Sequence, residues 1–392
     1  PTTVESITTN AFKILGRFDV ITSPAAGAVW NPGDLTKQIQ WSQTGDMTNV
    51  QIQYKTSAAG APINITTNDF PALSISSSTN TNPITVTTTA PHGRQTGDIV
   101  TIKNHTGNTA ANGTWTITST GASTFTIPTA GNGVGGADGT VYAHTTGGNT
   151  YNWRAGIPNV KSEDAYIILT DVNFPEVTYT MPTAFKIRPI VTVSAPTLNQ
   201  QLKAGTNYPN LIKWSATGST ITTVDVLYNT DGSSNFTSFI TPGAGIPFTD
   251  GIAGIDWNVP TTVALVSNAK IQVRDHDSIL IVGESAQFKL KGDFPTMTAP
   301  TAATNWVAGT TQTIAWTFKG TIANVNIYYD LDSSNGDQWT PIQPVSVKPQ
   351  SGNNGSSTID WALPTTVTNK ARIRVTDAID ESNVQFISPD FK

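Results

Sequence analysis

Few residues in this chain are grouped in a way that could do chemistry. The strongest grouping is the acidic run Asp330-Leu331-Asp332-Ser333-Ser334-Asn335-Gly336-Asp337. Closely spaced carboxylate and amide oxygens beside a glycine suit a hard cation, so Asp330, Asp332, Asn335 and Asp337 are candidate ligands for calcium. Their spacing is not that of an EF-hand loop, and the sister run Asp231-Gly232-Ser233-Ser234-Asn235 carries fewer acids. The same residues also read as an Asp-initiated turn between two strands, which needs no ion. Histidine offers little more. His92, His105 and His144 share one segment and His276 lies apart, with no H-x-x-x-H spacing, so turn or surface roles are expected of them.

Catalytic patterns are equally sparse. The absence of cysteine removes thiol nucleophiles, Cys-held metals and disulfides. No G-x-S-x-G elbow occurs, and the 27 acids are scattered without a pair that stands out for glycoside hydrolysis. A Ser–His–Asp triad assembles from distant positions and leaves no mark in spacing. The sequence therefore predicts neither an enzyme nor a resident cofactor, calcium being the single candidate ion.

Modification and recognition supply the remaining candidates. Asn64, Asn104, Asn112, Asn235 and Asn354 each begin an Asn-x-Ser/Thr triplet in a predicted loop, where a glycan is tolerated. Trp30, Trp306 and Trp339 sit near predicted turns, where an aromatic face could stack on a sugar ring. The other tryptophans recur at strand positions and read as core.

Charged residues make up 12% of the 392, about half the roughly 25% usual in soluble globular proteins. The net charge is only −5 and no Lys/Arg cluster occurs, which argues against nucleic acid or an anionic membrane as partner. No stretch approaches 18 consecutive apolar residues, so no membrane-spanning helix is expected. Pro1 reads as a processed or trimmed start.

What positions these residues is a unit that occurs three times. Pro24…Gly33, Pro196…Gly205 and Pro300…Gly309 open it, followed by Ile39/Trp41, Ile212/Trp214 and Ile314/Trp316. Alternating runs ending in Tyr54, Tyr228 and Tyr329 come next, then Trp153, Trp257 and Trp361, each shortly before a proline. A further alternating strand closes on Asp171, Asp275 or Asp377, whose carboxylates are expected to take backbone amides of the next turn. A Phe strand ends each unit, at Phe185, Phe288 and Phe386. Period-two alternation, broken by Gly, Pro, Asn and Asp every 8–12 residues or so, predicts β-sandwiches of about seven strands. The boundaries read as 18–72 with 148–189, 190–291 and 292–392.

The first unit holds an insert at 73–147, in which five strands are expected: Ile84-Val86, Ile99-Ile102, Trp115-Ile117, Phe125-Ile127 and Val141-Tyr142. Asn112-Gly113 is read as a tight hairpin turn. Residues 1–17 contain Phe12-Lys13-Ile14, which matches Phe185-Lys186-Ile187 and Phe288-Lys289-Leu290. Phe12 and Ile14 are thus candidates for a strand that completes a preceding unit, pairs with a neighbouring subunit, or packs on the chain's own first sandwich.

The ordered set of motifs resembles an immunoglobulin-like sandwich, and most of all the Ser/Thr-rich repeats of microbial cell-surface proteins. The insert, with Pro91-His92-Gly93, Gly97-Asp98-Ile99-Val100 and Asn112-Gly113-Thr114-Trp115, is similar to a small β domain of phage tail and bacterial surface proteins. The fold expected is all-β: tandem Ig-like sandwiches with an inserted small β-barrel-like domain. The resemblance implies an extracellular, cell-surface, non-enzymatic scaffold that associates with itself, as in an S-layer or surface filament. Alternatives are an adhesin or carbohydrate-binding stalk tipped by the insert, a phage tail or fibre component, and an accessory region of a secreted hydrolase.

Overall fold

The computed structural model describes residues 13–45, 47, 50–65, 73–133, 135–143, 149–153, 155–241, 245–248, 254–342, 348–349 and 354–392. Phe12, His144 and Thr66 of the Asn64 triplet lie outside them. Among the described residues strands dominate, with two 3-10 turns, Thr109–Ala111 and Ser333–Asn335. Among the described residues no helix is long and apolar enough to cross a membrane. The chain divides into two compact units, one running to Pro189 with Thr217–Thr220, the other Ile190–Ala216 with Ile221–Lys392.

The first unit begins with a sandwich. Arg17–Ser23, Gln38–Thr44 and Asn149–Asn152 form one sheet. The facing sheet runs Val29–Trp30, Phe185–Ile187, Ser162–Asp171, Val50–Lys55 and Ile63–Asn64. Strict alternation explains it: Val50, Ile52 and Tyr54 are buried while Gln51, Gln53 and Lys55 are not. The opening segment is split, antiparallel to Gln38–Thr44 in one sheet and then parallel to Phe185–Ile187 in the other. This strand order is immunoglobulin-like. Trp30 stands 6.0 Å from Trp153 and 5.1 Å from Phe185 at the centre of the core.

A second body in the same unit has a seven-stranded sheet. It is ordered Thr118–Gly121, Thr124–Ile127, Ile84–Thr88, Leu73–Ser78, Thr140–Ala143, Ile99–Lys103 and Gly113–Thr116. It wraps a separate core that includes Ile75, Val86, Val100, Ile102, Phe125 and Val141. Asn112-Gly113 is not a two-residue hairpin turn. Gly113 starts a strand, and the Asn112 side chain closes the whole 104–112 connection by bonding the backbone N–H and C=O of His105, both at 2.9 Å.

The second unit contains two further sandwiches. In the first, Val191–Ala195, Asn207–Ala216 and Ile255–Asn258 face a sheet built on Gln201–Lys203, Phe288–Lys291, Val266–Asp275 and Thr223–Asn229. In the second, Asp293–Ala299, Thr311–Lys319 and Asn354–Ala362 face Asn324–Asp330, Arg372–Asp377 and Gln385–Ile387. Trp214 and Trp257 lie in one core, Trp316 and Trp361 in the other. Only Gly292 separates strand Phe288–Lys291 from strand Asp293–Ala299. Leu265 packs against both cores. Gly320, at φ +87°, lets the chain turn there; a Cβ on it would lie 2.9 Å from Leu265 Cδ2 and 3.0 Å from Ala204 Cβ.

The closing aromatic of the last sandwich is Phe391, not Phe386. Phe391 bridges to Ala371 as Phe185 pairs with Ala165 and Phe288 with Ala269. Phe386 belongs to Gln385–Ile387, the counterpart of Thr178–Thr180, because each closing strand is broken in two along its neighbour. Asp171 accepts from the Asn173 amide at 2.9 Å, Asp275 from Asp277 at 3.4 Å and Asp377 from Ile379 at 3.0 Å. These are the turns anticipated for the three aspartates.

Candidate functional site

Strand Asn324–Asp330 delivers Asp330 into the acidic loop, where its carboxylate is buried. Its Oδ1 accepts the Asp332 amide at 3.1 Å and its Oδ2 accepts from Arg372 at 2.6 Å. Arg372 also reaches Asp337 Oδ1 at 3.1 Å. Burial pushes the Asp330 carboxyl up, but hydrogen bonds from Arg372 and from the amides of Asp332 and Gln338, with the Arg372 charge, hold it below the usual range. Asp332 caps the 3-10 turn, accepting from Ser334 N at 3.1 Å and from Asn335 Nδ2 at 2.7 Å. Of the four calcium candidates, Asp330 and Asp337 thus share one guanidinium, while Asp332 and Asn335 bond each other. Among the described residues no group of three or more His, Asp or Glu is arranged to hold a metal ion.

The same arginine begins a stack that sequence reasoning missed. Arg372 and Arg374 lie 5.1 and 4.8 Å from the Trp339 ring, and Arg374 lies 4.5 Å from Tyr328. Alternate residues of one strand point the same way, which places both guanidiniums on one face of Arg372–Asp377. Of the tryptophans suited to sugar stacking, Trp339 is thus covered by arginines and Trp30 is buried. Trp306 packs on Phe391 at 5.1 Å.

The insert holds a Ser–His–Asp constellation. Ser78 Oγ lies 2.7 Å from His105 Nε2, and His105 Nδ1 bonds Asp138. Hydrogen bonds from the Thr106 hydroxyl and amide, with the bond and charge of His105, hold Asp138 down at about 2. An ionised Asp138 only accepts, so His105 donates to it from Nδ1. Asn108 Nδ2 donates to Ser78 Oγ at 3.2 Å and to the Thr79 carbonyl at 3.0 Å. Ser78, His105 and Asn108 are all buried, and Gly135 pairs with Ser78 directly over them. The serine oxygen faces protein on every side named here. The arrangement ties the end of strand Leu73–Ser78 to the 104–108 and 135–138 loops.

His92 is likewise buried rather than superficial, accepting the Arg94 amide at 3.0 Å with its ring 5.4 Å from Phe125. His276 pairs with Asp225 at 2.9 Å. Asn64, Asn104, Asn235 and Asn354 are exposed. Asn64 Oδ1 accepts from Gln51 and Gln53, and both polar atoms of Asn112 are bound to His105. Ile14 is 86% exposed, beside Lys13, which pairs with Glu176 at 3.0 Å.

Neither a family model nor a curated protein sequence matches this chain. Solved structures do. Fibronectin(III)-like modules of Clostridium thermocellum CbhA are 17% identical, with 52% of this chain and 93% of that one covered and a TM-score of 0.19. An I-band fragment of titin is 10% identical over 95% and 97% of the two chains, at 0.24. A complex of Dpr2 Ig1-Ig2 with DIP-Theta Ig1-Ig3 is 9% identical over 96% and 99%, at 0.25. At these values the assignment of tandem Ig-like sandwiches rests on the strand order and pairing described above.

Proposed function

We propose that this chain is a structural subunit of an extracellular surface assembly, a lattice or filament formed by self-association of its tandem Ig-like sandwiches. The observation that supports this best is the junction inside the second unit. There one glycine joins two sandwiches, and Leu265 contacts both of their cores. Lys203 pairs with Asp293 at 2.8 Å, Lys319 donates to the Gly205 carbonyl at 3.0 Å, and Lys291 pairs with Asp380. Such a joint resists bending, and stiffness between successive modules serves a load-bearing array. The weakly charged surface favours the same reading, because copies of the chain approach one another without strong repulsion. Exposed Asn104, Asn235 and Asn354 are the positions at which glycans fit this setting.

Negative-stain microscopy of the purified protein tests the proposal. Sheets or fibres that grow with concentration are expected. Single dispersed particles at every concentration, together with glycan binding that requires residues 73–147, would replace it with the adhesin alternative.

A further inference from the structure

Ser78 carries the partners of a nucleophile in the interior of the seven-stranded body. It is 4% exposed, its Oγ lies 2.7 Å from His105 Nε2, and His105 is 1% exposed. Gly135 pairs with Ser78 over the top. A Cβ on Gly135 would lie 2.2 Å from His105 Nε2 and 2.3 Å from Ser78 Oγ, so glycine lets the backbone close over the two side chains. A group for Ser78 to react with is therefore to be sought within the chain.

Asn108 supplies one. It stands at the N-cap of the 3-10 turn Thr109–Ala111, where an asparagine side chain ordinarily accepts an amide of the first turn. This one makes no such bond and is 0% exposed. Its Nδ2 points at Ser78 Oγ, 3.2 Å away, and at the Thr79 carbonyl, 3.0 Å away. Its Oδ1 accepts the Asn132 backbone N–H at 3.2 Å. A carbonyl only accepts and a backbone N–H only donates, so these contacts fix both ends of the carboxamide. The carboxamide carbon is one bond, about 1.3 Å, beyond Nδ2. The serine oxygen thus stands beside an acyl group whose own oxygen already faces a donor, with a base on its other side.

We propose that Ser78 and Asn108 join in an ester, which the chain forms on itself with loss of ammonia. Neutral His105, its Nδ1 proton bonded to Asp138, takes the Ser78 hydroxyl proton at Nε2. Ser78 Oγ bonds Asn108 Cγ, the carboxamide turning about its soft Cβ–Cγ torsion to meet it. Negative charge collects on Oδ1, where the Asn132 N–H faces it. As the Cγ–Nδ2 bond breaks, Nδ2 takes the proton from His105 and leaves as ammonia, which restores the neutral imidazole. Asp138 is a positioning residue, since it touches His105 and none of the reacting atoms. Burial of Ser78, His105 and Asn108 shields the ester from water. The link ties the end of strand Leu73–Ser78 to the 104–112 connection, and it does not depend on how copies of the chain associate.

Mass spectrometry of the full chain, sampled until its mass is constant, tests the ester. Trypsin cuts after Lys55, Arg94, Lys103 and Arg154, which puts Ser78 in peptide 56–94 and Asn108 in peptide 104–154. The expected chain is one ammonia lighter than its sequence, with these two peptides joined, and hydroxylamine separates them. Ser78→Ala restores the full mass and separate peptides. His105→Ala slows the joining about a hundredfold or more, read as linked fraction against time. A wild-type chain of full mass with separate peptides overturns the ester. A lighter chain whose two peptides stay apart also overturns it, the ammonia then having come from an asparagine cyclised on its own backbone. Joined peptides in Ser78→Ala overturn Ser78 as the nucleophile. The wild-type peptides decide the matter even where Ser78→Ala does not fold.

Discussion

Arg372 holds Asp330 and Asp337 while lying against Trp339, so its removal leaves a buried carboxylate facing only amides. Arg372→Ala is expected to cost about 2–3 kcal/mol in thermal or denaturant unfolding. With the wild-type arginine in place, adding calcium or a chelator should leave the melting temperature unchanged. Asp138 behaves differently. Its folded pKa, about 2, lies below the unfolded value, so its contribution is present above about pH 4 and is lost as pH falls toward 2. Asp138→Asn should flatten that acid limb in pH-dependent melting. Asp377 has the opposite sign, because burial and then the neighbouring Asp380 raise its pKa. Its ionised form opposes folding at neutral pH, while its Oδ1 still accepts the Ile379 amide. Asp377→Asn keeps that acceptor, so the melting temperature should rise at pH 7 and hardly change near pH 3. The aspartate turns were legible in the sequence because acceptor and amide are two residues apart. The Ser78–His105–Asp138 set was not, since its members lie 27 and 33 residues apart and only tertiary folding brings them together.

Strands were read well where apolar residues alternate without interruption, as in Val50–Lys55 and Ile84–Thr88. Leu73–Ser78 and Thr118–Gly121 escaped because Ser, Thr and Gly fill most of their positions, and Thr118–Gly121, an edge of its sheet, buries no side chain. The broken closing strand of the last sandwich shifted the expected aromatic from Phe391 to Phe386. Strand Ser278–Glu284 shows a further property of an element. It bonds Val266–Asp275 along one side, and among the described residues no strand pairs with its other side. Ile279 is 72% and Leu280 54% exposed on it. An apolar free edge of this kind templates unwanted pairing. Ile279→Lys should therefore slow aggregation, followed by light scattering, while changing stability by less than about 0.5 kcal/mol.

The repeat itself was the clearest message at the scale of the molecule, because near-copies of one motif set can only mean near-copies of one fold. How firmly neighbouring copies are joined was not visible, since it depends on Leu265 reaching two cores and on lysines bonding across the joint. Leu265→Ala removes a half-buried side chain. It should cost about 1–2 kcal/mol and split the calorimetric transition of the second unit in two. The parallel pairing of opening and closing segments bears on a different property. Val29–Trp30 runs alongside Phe185–Ile187, and Gln201–Lys203 alongside Phe288–Lys291. Tension that draws the two ends of a sandwich apart slides one of these segments along the other, so their hydrogen bonds are sheared together instead of being peeled open singly. The three-residue clamp at 201–203 is longer than the two-residue clamp at 29–30, and a single molecule stretched at constant speed should rupture the first sandwich before the second.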